Sequence, residues 1–192
     1  MTAPGIPTSR PPLPSAQGLT APVVAAYETR RLPLRHPAPP LEGLDKCLVA
    51  VEWGNERSGP NWEAKIKLFN TLARDPADAG GKMVHSLRSL GSAALNCCAV
   101  ARGDLEVYWE GGCWAWDVAA GWVIVEEAGG LVKGGNPGEE ARVDGRRYLV
   151  VRGGEGGEGV VREVWGAMQE GGGRVEYDHL SEEDVRREKG LV

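Results

Sequence analysis

Two acidic residues flank a glycine-rich turn in the middle of the chain, and their spacing is the first sign of chemistry. Glu110 ends a short alternating stretch, and Asp117 follows Gly111-Gly112 and an aromatic cluster, just where a long apolar run begins. If that run is a helix, its macrodipole and unpaired N–H groups stabilise a charged carboxylate in the first turn. Such a carboxylate is suited to a hard cation such as Mg²⁺, which prefers carboxylate and water oxygens.

The same two residues also have a purely structural interpretation. Aspartate is a common capping residue at helix starts, so Asp117 can serve only to satisfy backbone N–H groups. Glu110 can equally be a solvent-exposed residue at the end of a strand. From the local pattern alone, both interpretations stay open.

A second candidate segment is Gly91-Ser92-Ala93-Ala94, where a glycine and a serine lead into a run of small residues. A helix start of this kind exposes backbone N–H groups and allows close approach of a ligand, as in phosphate binding at helix N-termini. The alternative is a tight joint between a strand and a helix where only small residues pack. The pattern favours neither.

The elements that must position these residues alternate between strand and helix patterns. Period-two or continuous apolar stretches predict strands over 47–53, 83–90, 105–109 and 147–152. Helical spacing predicts helices over 61–73, with Asn61 as the N-cap, and over 91–101, 117–128 and 159–169. The apolar run after Asp117 predicts a buried helix. This alternation indicates a layered α/β or α+β fold.

The 192-residue chain is expected to form one folded domain over residues 46–170. Residues 1–45 hold most of the 13 prolines and lack apolar periodicity, so we expect them to be disordered or loosely packed. Residues 171–192 are charged and are expected to form a peripheral tail.

Composition and charge exclude several classes of function. A net charge of −5 offers no basic surface for nucleic acid. The sequence contains neither a run of 18 apolar residues nor a signal-peptide pattern, so we expect a cytoplasmic protein without a membrane partner. The four cysteines form no CxxC pair, which predicts reduced thiols rather than a zinc site or disulfides.

Taken together, these segments resemble the inositol monophosphatase family. Gly91-Ser92-Ala93-Ala94 is similar to the family's Gly-(Ser/Thr)-Ala-Ala segment, and Trp116-Asp117-Val118-Ala119-Ala120-Gly121 to its Trp-Asp-Val-Ala-(Ala/Gly)-Gly signature. Glu126-Glu127-Ala128-Gly129-Gly130 resembles the end of the helix that begins with this signature in the family. The sequence of residues 108–117 is most similar to that of fungal members. The resemblance runs from about residue 47 to residue 169, which corresponds to the C-terminal half of the family's domain.

The resemblance implies a fold, a reaction and roles for particular residues. The fold would be the C-terminal portion of a five-layered αβαβα sandwich, usually dimeric, and the reaction a Mg²⁺-dependent hydrolysis of phosphoric monoesters. Asp117 would ligate the metal, and Glu110 would bind a hydroxyl of the sugar or inositol ring. Gly91, Ser92 and Ala93 would lie along the substrate. No catalytic residue beyond these is assigned.

The substrate implied by the resemblance is a small phosphorylated polyol, with inositol monophosphates as the default and another sugar or nucleotide phosphate as the alternative. Glu110 favours a polyol ring, because a carboxylate accepts hydrogen bonds from hydroxyls and repels a second phosphate. A homodimer would be the partner arrangement.

The sequence also departs from the family's pattern. Neither the upstream Glu-Glu motif nor the Asp-Pro-(Ile/Leu)-Asp-Gly-Thr motif, which supply further metal ligands, occurs before Cys47. Asp75-Pro76-Ala77-Asp78-Ala79-Gly80 imitates the second motif, but it lacks the Gly-Thr ending and follows a helix, so we interpret it as a turn. Trp114 stands where many relatives have histidine.

Two hypotheses follow. In the first, the chain belongs to a phosphatase whose remaining metal ligands are absent from this chain. In the second, it is a catalytically inactive binding or dimerisation module derived from the same family. Both predict that Asp117, Glu110 and Ser92 lie at a common cleft.

Overall fold

The computed structural model describes residues 38–78, 80–171 and 173–177. Within them the chain forms the strands β1 (Leu48–Val51), β2 (Ser86–Arg88), β3 (Val107–Gly111), β4 (Leu131–Gly134) and β5 (Arg147–Val151). The α-helices are α1 (Pro60–Ala73), α2 (Ala93–Arg102), α3 (Ala115–Glu127) and α4 (Gly157–Glu170), and a 3-10 turn, Leu44–Lys46, precedes β1. The predictions for residues 1–37, and for residues 178–192 of the expected tail, lie outside the described residues.

The five strands form one mixed sheet in the order β2-β1-β3-β5-β4. β1 lies parallel to both β2 and β3, whereas β5 lies antiparallel to β3 and β4. All five residues of β3 and all five of β5 are buried. Strands covered on both faces explain why the central strands read as nearly continuous apolar runs.

Helices cover both faces of this sheet. On one face α1 and α4 pack against strand residues such as Val49, Trp109 and Leu149. On the other face α2 and α3 pack against Ala50 and Tyr108, which are the chain neighbours of Val49 and Trp109. Because successive side chains of a strand point to opposite faces, each central strand contributes to both cores. The result is a three-layered α/β arrangement, and the predicted fold class is confirmed.

The first helix begins differently from the prediction. Gly59 is the N-cap and Pro60 the first helical residue, so Asn61 does not cap α1 and that prediction was wrong. Proline fits the first turn, where the backbone N–H would have no helical partner. The Asn61 side chain instead makes two hydrogen bonds of 2.8 Å to the backbone of Glu176: it donates to the carbonyl and accepts from the N–H.

The folded unit extends beyond residues 46–170 on both sides. Leu41 and Leu44 are buried in the core of the α1 and α4 face, so the expected loose packing does not hold there. Val175 is completely buried, and Asn136 pairs with its N–H and carbonyl at 3.0 and 2.8 Å, so residues 173–177 are not peripheral. Isolated apolar residues carry no periodic signal, which is why the sequence did not indicate this packing.

Helix α3 is less buried than its composition predicted. Val118, Gly121 and Val125 face the core, but Trp116 is 53% exposed, Val123 57% and Ile124 42%. The predicted buried helix is therefore buried on one face only, because only that face of α3 meets the sheet and α2. In the described ranges, no helix combines the length and apolar character needed to cross a membrane.

Candidate functional site

A cleft of about 840 Å³ lies where β1 and β3 end, and it gathers every site residue that the sequence singled out. Parallel strands present their carboxyl ends at the same edge, which brings the segments after β1 and β3 together. Its lining includes the predicted residues Gly91, Ser92, Ala93, Glu110 and Asp117. The predicted common cleft is therefore present, while the roles of its residues stay predictions.

The Gly91 to Ala93 segment reaches the cleft through a tight turn into α2. Gly91 has a φ of 73°, a left-handed conformation that side-chain-bearing residues adopt at a cost. Ser92 is the N-cap of α2, and its hydroxyl accepts a hydrogen bond from the Leu95 N–H at 3.3 Å. The small side chains leave the backbone of this segment close to the cleft.

Glu52, which the sequence analysis did not identify, organises this turn. It follows β1, is 6% exposed, and accepts four hydrogen bonds within 3 Å. The donors are the Ser89 hydroxyl, the Leu90 and Gly91 N–H groups, and the side-chain amide of the buried Asn96. A glutamate directly after an apolar strand was the signal that could have found it.

Glu110 is buried at the cleft rather than exposed at a strand end, so that interpretation was wrong. Its carboxylate is 4% exposed and accepts a 2.7 Å hydrogen bond from the Tyr108 hydroxyl. Burial raises the pKa of Glu110 to about 7, and the nearby charge of Glu52 acts in the same direction, whereas the Tyr108 hydrogen bond and Lys65 lower it. Glu110 can therefore exchange a proton near neutral pH.

Lys65 is a second group that the sequence did not mark, because it lies within the amphipathic pattern of α1. Its side chain is 1% exposed, and its ammonium donates to the Trp53 carbonyl at 3.2 Å and to Glu56 at 3.5 Å. Burial lowers the pKa of Lys65, while Glu56 and Glu110 oppose that effect. Tyr177 closes the network by donating to the Glu56 carboxylate at 2.6 Å.

Asp117 is the third residue of α3, and part of its role is structural. Its Oδ2 accepts a 2.9 Å hydrogen bond from the Trp114 N–H, the N-cap residue. Within the described part of the chain, its Oδ1 accepts none. The capping interpretation of Asp117 thus accounts for one oxygen and leaves the other available to a ligand in the cleft.

The residues described do not by themselves fit a Mg²⁺ site. Among residues 38–78, 80–171 and 173–177, no group of three or more His, Cys, Asp or Glu side chains could hold a metal ion. Mg²⁺ demands near-octahedral oxygen ligands, and one half-engaged carboxylate meets only part of that demand. Asp75 offers no help, since it lies in an exposed turn where its carboxylate accepts from the Ala77 N–H at 2.8 Å.

Known proteins resemble this chain in both sequence and structure. A model of the inositol monophosphatase family matches residues 23–169. Inositol monophosphatase 2 of Saccharomyces cerevisiae is 51% identical over 115 residues, covering 58% of this chain and 38% of the relative. Quinic acid degradation cluster protein x of Neurospora crassa is 41% identical over 160 residues, covering 72% of this chain and 47% of that protein.

A solved inositol monophosphatase from Anabaena superimposes with a TM-score of 0.53 at 26% identity, covering 70% of this chain and 50% of that one. The two fungal relatives confirm the predicted similarity to fungal members. The chain spans about half the length of the curated relatives it matches, or less. With the family model matched over most of its length, this chain belongs to the inositol monophosphatase family.

Proposed function

We propose that this chain forms the substrate-binding part of a Mg²⁺-dependent phosphoric monoester hydrolase that acts on a small phosphorylated polyol. The observation that carries the proposal is the convergence of the Gly91 to Ala93 turn, Glu110 and Asp117 on one cleft of about 840 Å³. The family membership and relatives named inositol monophosphatase support the reaction class. Inositol monophosphates are the first substrates to test, followed by other sugar and nucleotide phosphates.

The proposed roles follow from the chemistry of each group. The small residues at the start of α2 let the ligand approach the backbone N–H groups, and the deprotonated Glu110 accepts hydrogen bonds from ring hydroxyls. Glu52 holds the α2 turn through four hydrogen bonds, so it acts through that turn and not by touching the ligand.

Asp117 is the metal ligand that we assign in this chain, and Mg²⁺ would supply electrostatic activation of water and of the phosphate. The further ligands have to come from outside the described residues, because these contain no cluster of three. A cation held by Asp117 alone stays largely hydrated and mobile. We therefore expect the present chain to release phosphate slowly.

A phosphate-release measurement with inositol monophosphate and Mg²⁺ tests the proposal. We expect a rate at least about a hundredfold below that of a complete family member, since an incompletely fixed metal loses most of its effect. Asp117→Asn should abolish the remaining release. The matched control, Asp78→Asn in the exposed turn, should not change it.

Two outcomes would contradict parts of the proposal. If the chain and Asp117→Asn release phosphate at the same background rate, the hydrolase assignment fails. Rapid Mg²⁺-dependent turnover that depends on Asp117 would instead show a complete metal site and overturn the expectation of slow release.

The second candidate is a catalytically inactive binding or dimerisation module. Exposed apolar side chains on α2 and α3 favour it, with Leu95 61%, Trp116 53% and Val123 57% exposed. Association through this surface, as a homodimer, is compatible with either function.

We also propose a cytoplasmic setting, because Cys47, Cys97, Cys98 and Cys113 are all free thiols.

A further inference from the structure

Arg146 is a cationic residue of the cleft that neither the sequence motifs nor the proposed roles account for. Its backbone has a φ of 59°, a left-handed conformation that is uncommon for a residue with a side chain. Two contacts hold it there: its N–H donates to the Tyr148 hydroxyl at 3.2 Å, and its carbonyl accepts from the Gly112 N–H at 2.7 Å. Strain of this kind calls for a functional explanation.

The guanidinium of Arg146 is held in place by aromatic rings. It lies 3.5 Å from the centre of the Trp114 ring and 4.9 Å from that of Tyr177. One terminal nitrogen donates to the Gly112 carbonyl at 3.0 Å. A planar guanidinium stacked in this way loses little further freedom when it binds an anion, which favours binding.

Within residues 38–78, 80–171 and 173–177, no carboxylate balances the charge of Arg146. In the part of the chain that the structure describes, no acidic side chain lies within ion-pair distance of Arg146, and its buried Nε has no hydrogen-bond partner. Its neighbour Arg147 shows the contrast, since it pairs with Glu139 and Glu176. Stacking on rings orients a cation but does not neutralise it.

We propose that Arg146 binds a second anionic group of the ligand, a phosphate or a carboxylate, in addition to the phosphate ester. The inference rests on the proposed function and refines its substrate class to polyol or sugar phosphates that carry two anionic groups. It reverses the expectation from Glu110 alone, because Arg146 adds a positive charge to the same cleft.

Three probes that differ in one group separate the possibilities. Glucitol 6-phosphate carries one phosphate, 6-phosphogluconate has a carboxylate in place of its carbon-1 hydroxymethyl group, and glucitol 1,6-bisphosphate has a second phosphate at the same carbon. Their affinities for the chain are measured by calorimetry without metal ion, so that no turnover intervenes. We expect at least one of the two-anion probes to bind about tenfold more tightly than glucitol 6-phosphate, and the probe that does so identifies the second group.

Variants then assign the difference to Arg146. Arg146→Gln should remove the tenfold preference and leave the affinity for glucitol 6-phosphate within about twofold. Arg146→Lys should keep an intermediate preference, because it retains the charge and loses the stacked plane. Arg142→Gln is the matched control, since Arg142 is largely exposed, pairs with Asp144 and does not line the cleft, and it should behave like the unchanged chain.

The proposal is overturned if the chain binds no two-anion probe more tightly than glucitol 6-phosphate, or binds none of the probes. It is also overturned if Arg146→Gln weakens all three probes equally, which would indicate a structural role, or if the preference survives in Arg146→Gln. If the chain releases no more phosphate than Asp117→Asn but still shows the preference that depends on Arg146, the proposed hydrolase function is contradicted and this inference is not.

Discussion

Glu52 and Glu110 are two buried carboxylates at the ends of neighbouring strands, and their surroundings differ in the number of hydrogen-bond donors. Glu52 accepts from four donors, two of them backbone N–H groups of the α2 turn. Glu110 accepts from the Tyr108 hydroxyl and is buried near both the negative charge of Glu52 and the positive charge of Lys65. One carboxylate therefore organises the cleft, and the other changes its charge within it.

The raised pKa of Glu110 predicts that stability depends on pH. The folded-state pKa of about 7 exceeds the reference value of 4.5, so folding favours the protonated form. The resulting stabilisation is complete below about pH 4.5 and is lost as pH rises through 7, amounting to on the order of 3 kcal/mol. Glu110→Gln cannot titrate, so this part of the pH dependence should vanish in urea unfolding measured from about pH 5 to pH 8.

The measurement for Glu110 compares the free energy of unfolding of the unchanged chain with that of Glu110→Gln at each pH. The unchanged chain should lose stability relative to Glu110→Gln as pH rises. A constant difference between them across this range would show that Glu110 titrates normally.

Replacing Glu52 should distinguish its charge from its hydrogen-bonding geometry. Glu52→Ala removes the carboxylate that accepts four hydrogen bonds, so the buried side-chain amide of Asn96 loses its bond to Glu52. This loss should lower the free energy of unfolding by about 3 kcal/mol. Glu52→Gln should cost much less, because the glutamine oxygen can keep the contacts of Oε1 while its amide donates to the Ser89 hydroxyl. Urea denaturation measures both, and equal losses would contradict this assignment.

At the scale of elements, the site depends on how closely α2 and α3 pack. Gly121 of α3 lies against Cys97 of α2, and a Cβ at Gly121 would meet the Cys97 Cβ at 2.5 Å. The start of α2 carries Ser92, and the start of α3 carries Asp117. The contact between the two helices therefore sets how these groups face the cleft.

Gly121→Ala should destabilise the chain, because the added methyl overlaps Cys97 and the helices must separate. We expect a loss of about 2 kcal/mol, typical of overpacking, despite alanine's higher helix propensity. The control is Gly166→Ala in α4, where a Cβ meets nothing within 4 Å, and there we expect a gain of up to about 1 kcal/mol. Thermal unfolding would compare the two, and a neutral Gly121→Ala would show that α2 and α3 can adjust.

For the whole molecule, the two sheet faces are covered unequally. The core under α1 and α4 also takes in Leu41, Leu44 and Val175 from outside the sheet. Helix α3, on the opposite face, leaves Trp116 and Val123 exposed, seven residues apart and so on one side of the helix. An exposed apolar stripe of this kind promotes association.

We expect the chain to self-associate as its concentration rises, and Val123→Lys to weaken that association about tenfold, because it places a charge within the apolar stripe. The matched control is Gln169→Lys, which adds the same charge at an exposed position of α4 and should leave association unchanged. Sedimentation velocity over a concentration series measures it. A chain that stays monomeric throughout, or equal effects of both substitutions, would contradict this expectation.

The sequence by itself determined the elements and the family. Period-two and helical spacings located β1, β3, β5 and all four helices to within a few residues, because those patterns arise from neighbours along the chain. The segments Gly91 to Ala94 and Trp116 to Gly121 pointed to the family. The short strand β4 escaped prediction, since three of its four residues are only half buried and its pairing partners lie in β5.

Only the tertiary structure decided which other groups reach the cleft and how they are paired. Glu52 meets Asn96 from 44 positions away, and Tyr177 meets Glu56 from 121 positions away. The raised pKa of Glu110 and the position of the Arg146 guanidinium over the Trp114 ring likewise depend on burial and on groups that meet through space. Desolvation and contacts between distant segments exist only after folding, so no local pattern in the sequence records them.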